Sequence, residues 1–172
     1  MLKIMFLCTG NSCRSQMAEG IARASGKGLI EPYSAGVMPS EVHPKTVQVM
    51  KETGRDISNQ RSKGIDENLL NTMDMIITLC SSAEAMCPMT PPRIRRIHWS
   101  IDDPKTATGS EEDVLNAFRR ARDEIKKQVT KLIEDIRRNP NRVKNKGKIL
   151  LESRKKLDSP ASGAGQAKSS TE

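Results

Sequence analysis

Residues 8–15 read CTGNSCRS, with a cysteine and an arginine separated by five small or polar residues. A thiol, a turn and a guanidinium in this order suit attack on the central atom of a tetrahedral oxyanion. Gly10 lets the chain turn tightly, and the backbone N–H groups of such a loop can point inward as an anion cradle formed by Thr9, Gly10, Asn11, Ser12, Cys13, Arg14 and Ser15. The helix expected after the loop adds the positive end of its dipole. Arg14 offers a planar fork that matches two oxygens of the anion. Cys8 then lies beneath the bound anion, its thiolate favoured by the same donors, and Ser15 can donate to the Cys8 sulfur.

Other reactive side chains recur at similar places. Cys80 closes the run DMIITLC, Cys87 follows seven residues later, and Asp102 and Asp103 stand in HWSIDDP. A zinc site needs about four ligands at suitable spacing. Cys80 and Cys87 form no close pair with a second cysteine couple, and His43 and His98 lack ligand spacing, so no metal is expected. Cys13, His43 and His98 read as structural.

Elements placed to carry these residues follow from the apolar pattern. LKIMFL (2–7) is a short, nearly continuous apolar run and DMIITLC (74–80) a second strong strand signal, as in strands buried on both faces. LIEPYSAG (29–36) reads as a strand with Pro32 favouring an edge, and RIRRIHWS (93–100) as a fourth. Helices are expected over 15–25, ended by Gly26 and Gly28, over 43–54 with Thr46, Val47 and Met50 on one face, and briefly over 66–73. A long helix over 110–138 has a Ser110 cap answered by Asp113 and an apolar stripe of Val114, Phe118, Ala121, Ile125, Val129, Leu132 and Ile136. Alternating strands and helices predict an α/β fold: a small four-stranded parallel sheet with helices on both faces. Ligands in such folds bind beyond the carboxyl ends of strands. Cys8, Cys80 and the IDDP loop all fall on that rim.

The chain has 172 residues, 35% of them apolar and only 2% aromatic, enough for one domain with an appendage. Residues 1–138 are expected to form the catalytic domain and 139–172 a basic, largely disordered tail, with one helical turn over 148–153. The tail carries six Lys and two Arg against three acidic residues, most of the net charge of +8. It lacks an aromatic platform for stacking bases, so nucleic-acid binding is not expected. No apolar run approaches the roughly 20 residues of a membrane span. MLKIMFLC is too short for a secretory signal, which implies a cytoplasmic protein in which cysteines work as thiols. The body shows no exposed apolar stripe, and a monomer is the default expectation.

CTGNSCRSQMAEG resembles the loop of the low-molecular-weight protein tyrosine phosphatase fold, and more particularly that of the thioredoxin-coupled arsenate reductases built on it. YSAG (33–36), TLCSSAEAMCP (78–88), HWSIDDP (98–104) and FRRARDEI (118–125) extend the resemblance over about residues 1–138. The resemblance implies three cysteines acting in turn. Cys8 attacks arsenate while Asp103, before Pro104, protonates the leaving oxygen. Cys80 attacks the adduct and releases arsenite, and Cys87 resolves the Cys8–Cys80 disulfide into Cys80–Cys87, which reduced thioredoxin opens; no bound cofactor is implied.

A disulfide needs α-carbons within about 7 Å, whereas a helical i, i+7 pair sits about 10 Å apart. The segment between Cys80 and Cys87 must therefore unwind, and Ser81, Ser82 and Ala83 suit a segment that can loop out. Phosphate and sulfate are expected to compete with arsenate. Asn11 is expected to brace the loop through its backbone. Relatives in this branch can hold a potassium ion through positions corresponding to Asn11, Glu19, Ser34 and an acidic residue. Lys63 stands at the acidic position here, and its ammonium is expected to replace the ion. The alternative activity is that of a low-molecular-weight phosphatase on phosphotyrosine or phosphate monoesters, against which KTATGS after Pro104 offers no aromatic wall.

Overall fold

A computed structural model describes residues 1–139. The 148–153 turn and the disorder expected of the tail lie outside the described residues. Four parallel strands, β1 (Leu2–Cys8), β2 (Ile30–Gly36), β3 (Met75–Thr78) and β4 (Arg95–His98), form one sheet in the order β2-β1-β3-β4. Pro32 stands on β2, which is an edge strand as its proline requires.

The alternation along β1 divides the core. Ile4, Phe6 and Cys8 face one layer, with α1 (Arg14–Ser25), α2 (Pro44–Lys51) and α5 (Glu111–Arg138). Met5 and Leu7 face the other, beneath α3 (Glu67–Leu70) and α4 (Ser81–Met86). Helices thus cover both faces, which is why β1 and β3 are nearly all apolar, with Lys3 half-buried near the start of β1.

Boundaries differ from the sequence expectation where local chemistry intervenes. His43 is the N-cap of α2, its Nδ1 accepting from the Lys45 N–H at 3.2 Å, so the helix starts only at Pro44. β4 begins at Arg95 because Ile94 N–H donates to Pro91 O at 2.9 Å in a turn. Ser110 and Asp113 form the reciprocal capping box of α5. The α5 stripe is buried as expected except Val114, which is half-buried; it also includes Leu115, Ile133 and a charged residue, Arg122. Arg122 donates to Val49 O at 2.8 Å and pairs with Glu52 at 2.9 Å, tying α5 to α2.

Candidate active site

The loop after β1 is shaped by what happens to its carbonyl groups. Cys8 O accepts from Val37 N, Thr9 O from Met38 N, and Gly10 O from Ser40 N and the Ser62 hydroxyl. Asn11 O accepts from the Gln16 amide, Ser12 O from His43 N and the Thr46 hydroxyl, and Cys13 O from Met17 N. Every carbonyl from 8 to 13 is thereby engaged within the protein. The N–H groups of residues 10–14 have no protein acceptor among the described residues, which leaves them to an anion. Asn11 adopts φ +47°, a left-handed conformation that asparagine tolerates. Gly36 closes the arrangement: a Cβ there would stand 2.7 Å from Asn11 N and 2.8 Å from Thr9 O.

Cys8, Arg14 and Asp103 line one recess of about 290 Å³ at the carboxyl rim of the sheet. Cys8 is buried, and its Sγ lies 2.9 Å from the Ser15 hydroxyl. Arg14 donates to Ile101 O at 3.0 Å and to Asp103 Oδ2 at 2.8 Å, while its buried Nε has no partner among the described residues. An orphaned guanidinium N–H beside a cradle of free amides fits a multivalent oxygen anion. Asp103 also accepts from Lys105 N, capping a short 3-10 turn at Pro104–Thr106, whereas Asp102 is exposed.

Cys80 belongs to the same rim. It precedes α4, and its Sγ lies 3.3 Å from the Thr9 hydroxyl, one residue beyond Cys8. Cys87 follows the other end of α4 and is half-buried. Burial pushes its thiol upward; Arg96 draws it down, and Glu84 pushes it up further. All four cysteines are free. Cys13 is buried in the core against Thr46 and Ser12, and burial raises its thiol.

Asn11 works differently from expectation. Its amide nitrogen donates to the Ser15 and Ser34 hydroxyls at 2.8 and 2.9 Å. Its oxygen accepts from Gln16 and from Lys63 N, so it braces side chains and a neighbouring segment rather than the loop's own backbone. Glu19 next to it takes Arg23 at 2.6 Å, Lys63 Nζ at 3.5 Å and the Ser34 hydroxyl at 2.5 Å. Two cations already flank that carboxylate and the Asn11 oxygen is engaged twice, so this donor set does not fit a potassium ion. Among the described residues no cluster of three or more His, Cys, Asp or Glu could hold a metal.

Met38, Ser40 and Lys105 also line the recess. Sequence reading missed Met38 and Ser40 because 37–42 carries neither periodicity nor a thiol or imidazole; the only signal was its position directly after YSAG.

Comparison with known proteins follows the same lines. Residues 3–143 match the model of the low molecular weight phosphotyrosine protein phosphatase family. The arsenate reductase of Bacillus subtilis (strain 168) is 50% identical over 131 residues, 76% of this chain and 94% of that protein. A solved arsenate reductase in its phosphate-binding state superposes with TM-score 0.65 at 38% identity, covering 79% of this chain and 99% of that one. A low molecular weight protein tyrosine phosphatase from T. tengcongensis superposes with TM-score 0.66 at 30% identity, covering 78% and 99%. The chain therefore belongs to the low molecular weight phosphotyrosine protein phosphatase family, and within it to the branch of the arsenate reductases.

Proposed function

We propose that residues 1–138 reduce arsenate to arsenite through a three-cysteine relay, with thioredoxin as the dithiol donor. The observation that carries this reading is the position of Cys80, held by the Thr9 hydroxyl at the lip of the Cys8 loop with Cys87 at the far end of the same short helix. A phosphatase has no use for that pair.

Arsenate enters the cradle, its oxygens taken by the free N–H groups and by Arg14. The Cys8 thiolate, supported by the Ser15 hydroxyl, attacks arsenic; one oxygen leaves as water on a proton from Asp103. For that transfer Asp103 must turn part of its carboxyl from Arg14 to the leaving oxygen, a change the half-exposed loop permits. The Cys80 thiolate then attacks Cys8 Sγ. The sulfur–arsenic bond breaks, its electron pair stays on arsenic, arsenite departs, and a Cys8–Cys80 disulfide remains. Cys87 attacks Cys80, Cys8 leaves as thiolate, and the resulting Cys80–Cys87 disulfide is opened by thioredoxin.

Arsenate-dependent NADPH oxidation with thioredoxin and thioredoxin reductase tests the relay. Wild type should turn over repeatedly and Cys87→Ser about once per chain, since its Cys8 stays trapped. No arsenate turnover, with equal phosphate-ester hydrolysis by both proteins, would give the site to phosphatase chemistry instead.

A further inference from the structure

Two contacts tie the body of α4 to the sheet, and a third holds the segment just after it. The Thr78 hydroxyl, at the end of β3, donates to Glu84 Oε2 at 2.5 Å and also lies 2.9 Å from His98 Nδ1. Arg96 Nη2 on β4 stands 3.8 Å from Glu84 Oε1. Arg96 Nη1 donates to the carbonyl of Pro88 at 3.2 Å, one residue beyond Cys87. One guanidinium thus spans the helix body and the segment that carries the last cysteine. Nothing in the oxyanion cradle uses either residue.

Conversion of Cys8–Cys80 into Cys80–Cys87 requires α4 to move, whereas β4 is held by its pairing with β3. At the helical rise, seven positions span about 10 Å, more than the roughly 7 Å a disulfide allows, so α4 must open. Opening carries Glu84 away from Thr78 and Arg96. Arg96 stays, because its backbone is paired in register with Ile76 of β3. The guanidinium loses its carboxylate when Cys87 must act as a nucleophile, and a freed positive charge favours a nearby thiolate.

We propose that Arg96 is the positioning residue of the second disulfide exchange, and that Glu84 is the latch that withholds it while α4 is closed. The proposal rests on the relay described above. In the step it serves, the Cys87 thiol gives its proton to solvent and the thiolate attacks Cys80 Sγ. The Cys80–Cys87 bond forms, the Cys8–Cys80 bond breaks, and Cys8 leaves with the electron pair. Among the described residues, the charged groups that act on the Cys87 thiol are Arg96, from β4, and Glu84, from α4 itself. Their opposed effects on that thiol agree with the two roles.

The test uses the full reduced chain mixed with arsenate in the absence of thioredoxin, quenched in acid, alkylated and mapped by peptide mass. Wild type should pass through Cys8–Cys80 to Cys80–Cys87. Arg96→Ala should form the first disulfide at the wild-type rate, which also reports an intact fold, and convert it at least about tenfold more slowly. The pH at which conversion accelerates should move upward, with Arg96→Lys recovering part of both effects. Glu84→Gln should convert faster than wild type. Conversion by Arg96→Ala at the wild-type rate with an unchanged pH profile overturns the proposal, as does equal slowing by Arg96→Ala and Glu84→Gln, which marks mere structural support. If Arg96→Ala does not fold, Arg96→Gln keeps the side-chain length and is read the same way. Absence of any Cys80–Cys87 disulfide in wild type removes the relay and this proposal together, an outcome seen before any variant is compared.

Discussion

Asp103 Oδ2 accepts from Arg14 Nη2 at 2.8 Å, so the proposed acid and the proposed oxyanion fork form one unit, from two segments 89 positions apart. The pair fixes the acid loop over the cradle before substrate arrives. Arg14→Lys keeps the charge but loses the fork, and with it the simultaneous bonds to Ile101 O and Asp103. Arsenate turnover should fall by about a hundredfold or more, the usual cost of removing an oxyanion donor. Steady-state kinetics with the dithiol donor in excess measures it; a loss under about threefold would remove Arg14 from the chemistry.

Ser15→Ala deletes the hydroxyl beside Cys8 Sγ and an acceptor of the buried Asn11 amide. A hydrogen bond to a charged group is worth about 1.5–3 kcal/mol, so formation of the first disulfide should slow roughly tenfold to hundredfold. Rapid-quench thiol counting after one equivalent of arsenate reads that step alone.

Lys63 and Arg23 both reach Glu19, which leaves no unshared acceptor for an alkali ion there. At fixed ionic strength, replacing sodium with potassium should leave the turnover rate unchanged. A several-fold rise with potassium would show that Lys63 swings away and the carboxylate is available after all.

Gly36→Ala places a Cβ against the backbone of residues 9–11, which cannot yield as a side-chain tip can. A shift of the loop by about 1 Å should reduce turnover by about a hundredfold. Trp99, half-buried against the core with its ring 5.9 Å from that of Phe6, should keep its native emission, which separates a displaced cradle from an unfolded chain.

His43 caps α2 through an acceptor nitrogen and stacks on Phe118 with ring centroids 4.8 Å apart. Burial, first, and then Lys105 and Lys45 hold its pKa below the ordinary imidazole value. The unfolded chain therefore binds this proton more readily than the folded one. Its contribution to stability is complete above about pH 6.5 and is lost as pH falls through that value toward the lowered folded pKa. Asparagine can cap the helix without titrating. Between about pH 7.5 and 5.5, wild type should lose more urea stability than His43→Asn; equal losses would place the imidazole outside this linkage.

Much of the sheet and the rim could be read from residue order because β1 and β3 are buried on both faces and each leads directly to a cysteine. The Ser110–Asp113 box and the α5 stripe were legible for a similar reason, since their signals are local. Arg122 was not, because a charged residue enters the buried stripe only by virtue of Glu52 and Val49 O, which lie far off in sequence. Asn11 was half-legible: the resemblance grouped Ser34 and Lys63 with it, but around an ion rather than as its hydrogen-bond partners. Lys105 escaped notice because its place in the recess depends on how the acid loop folds over Arg14.

The segment at 37–43 shapes the cradle through its main chain, with Val37, Met38, Ser40 and His43 each giving a backbone N–H to a loop carbonyl. Side-chain identity at Met38 or Ser40 can therefore drift while the geometry of anion capture stays the same. Proline is the exception, because it alone lacks the donor. Substitution scanning at Met38 and Ser40 should look tolerant to most side chains and intolerant to proline, so the part of the molecule that defines the pocket is also the part where its rim can be remodelled for a new oxyanion.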